Sequence, residues 1–231
     1  MYLFPINFQH RNLNQFFTSL NNMILYYNTT HIIMDRSDYI VYAIVILVVG
    51  ACIYIYFKDE SFQLKCIVST VDGNKYCVRE REKLQDAADL LANTSTKCKK
   101  LVDYCAEKYS DKPCIKRLKS GFNPQKFMET LPTSEYTAYS ENKGEKLAFC
   151  LNRTKKGEDN MIDEHTLTFV AIHELSHIAT ESIGHKSEFW ENFKFLLECA
   201  KEAGIHDPTD YKKQPTEYCG MKIRDNPYYD I

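Results

Sequence analysis

Nineteen consecutive residues without a charge, "YIVYAIVILVVGACIYIYF" from Tyr39 to Phe57, limit what this chain can fold into more than any other feature. Asp35, Arg36 and Asp38 precede the run, and Lys58, Asp59 and Glu60 follow it. A helix of that length spans roughly the 30 Å of a bilayer's hydrocarbon core. A soluble helix keeps one polar face, and this stretch has none. Tyrosines at both ends suit the membrane interface. The expectation is one transmembrane helix over 39–57, which makes the chain a single-pass protein of a host or virion membrane. It divides the sequence into a tail at 1–38, the anchor, and a domain at 58–231.

The tail is asparagine-rich. Phe16, Leu20, Met23, Ile24 and Tyr27 are spaced to line a short interfacial helix, with a disordered tail as the alternative. "MDRSDYIVYAIV" from Met34 also reads as a start for an anchored protein. The side on which the domain lies is left open by two opposed signals. Lys58, Lys65 and Lys75 after the span against Arg36 before it favour the cytosol. Eight cysteines after the span, together with "NTS" at 93 and "NRT" at 152, favour an oxidising compartment. No CxxC spacing points to a zinc ribbon. Basic and acidic residues nearly balance, 29 against 31, so nucleic acid is not an expected partner.

Within 58–231, "FQLKCIVSTVDGNKYCVRE" alternates about a Val-Asp-Gly-Asn turn and predicts a hairpin that sets Cys66 and Cys77 on its two arms. Residues 79–110 hold no glycine or proline and carry an apolar stripe, predicting one long helix or two joined near Thr94. A short helix over 113–120 follows. "EYTAYSENKGEKLAFCLN" predicts a second hairpin about Asn142-Lys143-Gly144. Asp163 is placed to cap a helix running through "EHTLTFVAIHELSHIAT", Gly184 breaks the pattern, and a last helix covers "KSEFWENFKFLLECAKEAG". The proline- and tyrosine-rich remainder reads as a loop. Strands and helices in this order imply an α+β domain.

The chemistry lies in "HELSHIATESIGHKSEFW", His173 to Trp190. His173 and His177, four apart on a helix, project from one face, where both imidazoles reach a single metal ion. Glu174 beside them addresses a water held by that metal and takes its proton as it attacks a carbonyl. A hydrolytic zinc site needs a third protein ligand. His185, just past the Gly184 break, offers the turn and a suitable donor, while Glu188, Glu191 and Glu198 in the next helix remain alternatives. His165 reads as an exposed first-turn residue, and His10, His31 and His206 have no partner pattern.

"FVAIHELSHIATESIGHKSEFW" resembles the motif region of the WLM and SprT-like metalloproteases: HExxH, a spacer, a third histidine, then an aromatic residue. "TVDGNKYCVRE", "LPTSEYTAYSENKGEKLAFCL" and "PTEYCGM" are similar to segments of metallopeptidase-like proteins encoded by large DNA viruses, so the resemblance covers roughly 66–225. It implies a zincin-like fold that binds Zn2+ through His173, His177 and His185, with Glu174 as catalytic base. It also implies a strand near 145–151 along the cleft, where a peptide substrate adds as an extra strand. The spacer before His185 is longer than in typical WLM sequences, and Thr180 stands where metzincins have glycine. Tyr218 and Met221 in "EYCGM" are candidates for an oxyanion contact and a floor to the metal site, with ordinary packing as the alternative.

These readings converge on a membrane-anchored zinc metallopeptidase that acts on peptide or protein substrates. The rivals are a metal-stabilised structural or interaction protein without turnover, and a tethered protease of DNA–protein crosslinks.

Overall fold

The computed structural model describes residues 36–58, 64–131, 133–155 and 160–230; the interfacial reading of 16–27 lies outside them. The chain divides into two units, 1–56 and 57–231. Helix α1 runs from Arg36 to Lys58, all but its last two residues in the first unit. Its stretch Asp38–Tyr56 is long and apolar enough to cross a membrane, and none of it is buried within the protein. Leu47, half-way along, is 72% exposed.

The second unit is a mixed α+β domain. Strands β1 (Lys65–Val68) and β2 (Lys75–Val78) form the first predicted hairpin, and Cys66 and Cys77 are register partners joined by a disulfide. Helix α2 (Leu84–Lys108) is the single long helix of the two alternatives and runs unbroken past Thr94. Thr94 there is buried but donates to the Leu90 carbonyl at 2.8 Å, and Ser95 donates to the Pro124 carbonyl at 2.8 Å. With both hydroxyls satisfied, neither forces a break. Asp89 on the same helix accepts from the Ser69 hydroxyl (2.6 Å) and from the Thr70 amide and hydroxyl (2.8 Å each), tying the hairpin turn to α2.

Helix α3 (Pro113–Gly121) precedes β3 (Phe127–Glu129), a strand the sequence did not announce. Three residues between Pro124 and Pro132 carry no readable alternation. The strand exists because it pairs in parallel with β2 on one side and with β5 on the other. The second predicted hairpin is β4 (Ala138–Glu141) and β5 (Lys146–Phe149), paired antiparallel. Sheet order is β1-β2-β3-β5-β4. The strand expected along the cleft, β5, is therefore interior, and β4 forms the edge. Buried Glu129 on β3 accepts from the Arg79 amide at 2.8 Å and pairs with the Arg79 and Arg81 guanidinium groups.

Helix α4 (Glu164–Ala179) starts where Asp163 accepts from the Thr166 amide at 2.8 Å. It packs against α2, α3 and α5 (Ser187–Glu202). Phe189, Phe193, Leu196 and Leu197 of α5 are buried, each such side chain contributing roughly 1.5–3 kcal/mol. The tail expected as a loop instead forms a hairpin of β6 (Thr216–Tyr218) and β7 (Met221–Ile223). Cys219 and Gly220 both have positive φ, 51° and 78°, as a tight two-residue hairpin turn requires. A Cys150–Cys219 disulfide fastens this hairpin to the end of β5. Neither sequon is presented on a loop: Asn93 lies inside α2, and Asn152 is 2% exposed.

Candidate metal centre

Twelve of the sixteen residues of α4 are buried, and beyond the first turn the exceptions are His173 and His177. A helix that is core on nearly every face thus opens only where its two histidines lie, a turn apart on one face. Gly184, at φ +80°, turns the following loop back, and His185 comes to rest against the pair. Ring centroids are 5.0 Å apart for His173–His177, 5.0 Å for His173–His185 and 4.9 Å for His177–His185. One ligating nitrogen from each lies within 4.8 Å of the other two, the one such group of three donors among the described residues.

Burial favours the neutral form of two of these imidazoles. Burial pushes His173 down to about 3, assisted by its two histidine neighbours. Burial likewise lowers His177 to about 4, with His185 and Lys143 adding to the effect. Nε2 of His173 and Nε2 of His185 face each other at 3.1 Å. Two ring nitrogens that close need either an N–H between them or a shared partner, and a divalent cation would serve as that partner. The donor set therefore fits a zinc ion, a metal that takes neutral imidazole readily.

Glu174 is 4% exposed. Burial pushes its carboxyl up to about 8, against the lowering effect of the Ser140 main-chain amide that donates to it. Its Oε2 has no hydrogen-bond partner. Ser140 belongs to edge strand β4, so the acid of α4 and the rim of the sheet face one another. Beside this contact opens a cleft of about 1370 Å³, lined by His173, Glu174, His177 and His185, by β4, and by Tyr218 and Met221 of the tail hairpin.

The rival ligands lie elsewhere. Glu188 accepts from the amides of Glu181 and Ser182, both at 3.1 Å, and from Arg117 at 3.1 Å. Those amides, then the Ser182 hydroxyl and Arg117, hold its carboxyl down to about 2. Glu191 and Glu198 are exposed and outside the histidine group. Tyr218 is buried and its hydroxyl donates to the Thr137 carbonyl at 3.1 Å. Met221 is half exposed, with the Thr137 hydroxyl 3.6 Å from its sulfur. The floor under the histidines is instead Phe189, whose ring lies 4.9, 4.4 and 4.6 Å from those of His173, His177 and His185. Sequence reading missed that role, although the phenylalanine four residues past His185 stands one helical turn into α5. His165 is exposed as expected and stacks on buried His206 at 4.3 Å.

No family model matches the chain. It is similar to protein R325 of Acanthamoeba polyphaga mimivirus, 28% identical over 192 residues, covering 81% of this chain and 96% of that one. It is also similar to protein 136R of Invertebrate iridescent virus 6, 36% identical over 70 residues, covering 30% of this chain and 38% of that one. Among solved structures, the crystal structure of Wss1 from Saccharomyces cerevisiae aligns with a TM-score of 0.40 at 17% identity, over 55% of this chain and 89% of Wss1.

Proposed function

We propose that residues 58–231 are a zinc-dependent metallopeptidase domain and that α1 anchors it to a membrane. The observation that carries the reading is the convergence of three imidazoles beside a buried, half-unpartnered carboxyl group on the helix that bears two of them. In this reading His173, His177 and His185 hold the ion, and Glu174 is the general base. A bound zinc ion supplies Lewis acidity toward the substrate carbonyl and lowers the pKa of a water. Burial favours the protonated form of Glu174, and a divalent charge beside it would favour the carboxylate. Its free Oε2 then accepts the proton of the attacking water and returns it to the leaving amine.

The open edge of β4 supports a peptide substrate. An extended segment laid along it gains main-chain hydrogen bonds, which hold the scissile carbonyl near the histidines. Phe189 excludes water beneath the imidazoles. For the anchor, support comes from the unburied helix and its charge-free stretch from Tyr39 to Phe57. The two disulfides favour an oxidising side for the domain.

The test uses the full chain in detergent, loaded with zinc and offered a broad peptide library. Cleavage that a chelator abolishes and zinc restores is the expected result. A chain that binds zinc yet cleaves nothing favours the metal-stabilised structural protein instead. Alkaline extraction checks the anchor, which predicts retention in the membrane pellet, and protease protection in sealed vesicles reports the side.

A further inference from the structure

We propose that Lys143, at the tip of the β4–β5 hairpin, is a positioning residue that sets where the third metal ligand falls. The inference rests on the metal reading above. The Lys143 ammonium donates to three carbonyls, those of His177 at 3.0 Å, Thr180 at 2.6 Å and Ser182 at 3.5 Å. An ammonium has three donors, so all are spent on one six-residue stretch that ends three residues before His185. The first two of those carbonyls belong to the end of α4, where helical partners run out and the helix dipole favours a cation.

The lysine is held in place from behind. Asn142 and Lys143 have φ of 46° and 57°, a left-handed turn that non-glycine residues adopt at a cost. Gly144 follows at φ +109°, and a Cβ there would come within 2.2 Å of the Gly121 carbonyl oxygen. A Cβ on Gly121 would meet the Lys143 carbonyl oxygen at 2.5 Å. Two glycines thus let the turn seat directly on the end of α3, which aims Lys143 at the exit of α4. From the other side, Arg117 of α3 donates to the Ala179 carbonyl at 2.8 Å. The Asn192 amide holds the Thr180 hydroxyl at 2.9 Å. All these anchors act before Ile183, which is 87% exposed. The exit angle of the loop at Ser182 therefore determines the reach of His185.

A plain helix cap would affect stability alone, whereas a positioning residue affects the metal. The experiment compares the full chain with K143R and K143M in detergent. It measures zinc affinity by chelator competition, the visible spectrum of the cobalt(II) form, and the melting temperature of the metal-free protein. K143M is expected to bind zinc roughly 10–100-fold more weakly, the range seen for outer-shell changes, with an altered cobalt spectrum, and K143R to recover most of both. Wild-type affinity and an unchanged spectrum in K143M overturn the inference, even if that variant melts lower. If K143M does not fold, K143Q carries the same comparison. A wild-type chain that takes up neither metal sinks the metal reading and this inference together; an indifferent K143M beside a loaded wild type sinks this inference alone.

Discussion

Glu174 and Ser140 meet at the wall of the cleft: the Ser140 main-chain amide, on the sheet's edge strand, donates to the Glu174 carboxyl group, while the buried oxygen Oε2 is left without a partner. A buried carboxylate with an idle oxygen is costly unless something uses it. The same contact couples the acid to the strand on which a peptide would lie. For Glu174→Gln we expect zinc affinity within a few-fold of wild type and peptide hydrolysis lower by about 10²–10⁴-fold, the usual contribution of a general base. Single-turnover cleavage and metal content, measured on one preparation, read both; undiminished cleavage would remove Glu174 from the mechanism.

The ligand set is open to a direct comparison. His185→Ala is expected to weaken zinc binding by more than the roughly 100-fold that outer-shell changes reach. Glu191→Gln and Glu198→Gln should leave binding unchanged, because both carboxylates are exposed and outside the cluster. Retention of metal by the His185 variant would reinstate a glutamate as third ligand.

Glu188 lends the metal loop a pH dependence of its own. Its folded pKa of about 2 lies below the ordinary 4.5, chiefly through the Glu181 and Ser182 amides. A carboxyl with a lowered folded pKa contributes stability above its unfolded value, and that contribution fades as pH falls from about 5 toward 2. Denaturant titrations of the metal-free protein across that window should show a shallower decline for Glu188→Gln than for wild type. Parallel curves would mean that the carboxylate adds nothing.

The buried pairing of Glu129 with Arg79 and Arg81 holds β3 to the segment after β2. Glu129→Ala leaves two guanidinium groups without their shared anion and should cost about 3–5 kcal/mol. Adding Arg81→Met should recover part of that loss. A cost below about 1 kcal/mol would mean that water replaces the carboxylate at little penalty.

Cys150 and Cys219 are 69 residues apart in sequence. Closing a loop of that length removes about 4 kcal/mol worth of unfolded-state entropy in the chain-entropy picture. Cys150→Ser with Cys219→Ser should lower stability by about 2–4 kcal/mol and free the hairpin that carries Tyr218 and Met221 from β5. Thermal unfolding with and without reductant checks it; a melting point indifferent to both would show the bridge to be idle.

Much of this protein is legible in its order of residues. An unbroken apolar run marks α1 and hydrophobic period marks α2 and α5, since a membrane span or an amphipathic helix follows from local sequence alone. Turn chemistry marks both sheet hairpins, and Asp163 marks the start of α4. The i, i+4 spacing of His173 and His177 places both rings on one face whatever surrounds them.

Other features exist only once distant segments meet. Strand β3 has no local signal because its hydrogen bonds are to β2 and β5. The tail hairpin closes locally at Cys219-Gly220, but its fastening to the end of β5 is by a cysteine pair whose partners spacing cannot choose. Edge and interior strands look alike in sequence, so only assembly of the sheet put β4, and not β5, beside Glu174. His185 joins the pair because a backbone turn at Gly184 and the contacts around Ser182 direct the loop, and Phe189 floors all three rings because α5 packs back on α4. Local patterns name the groups able to do chemistry; long-range packing decides which of them converge.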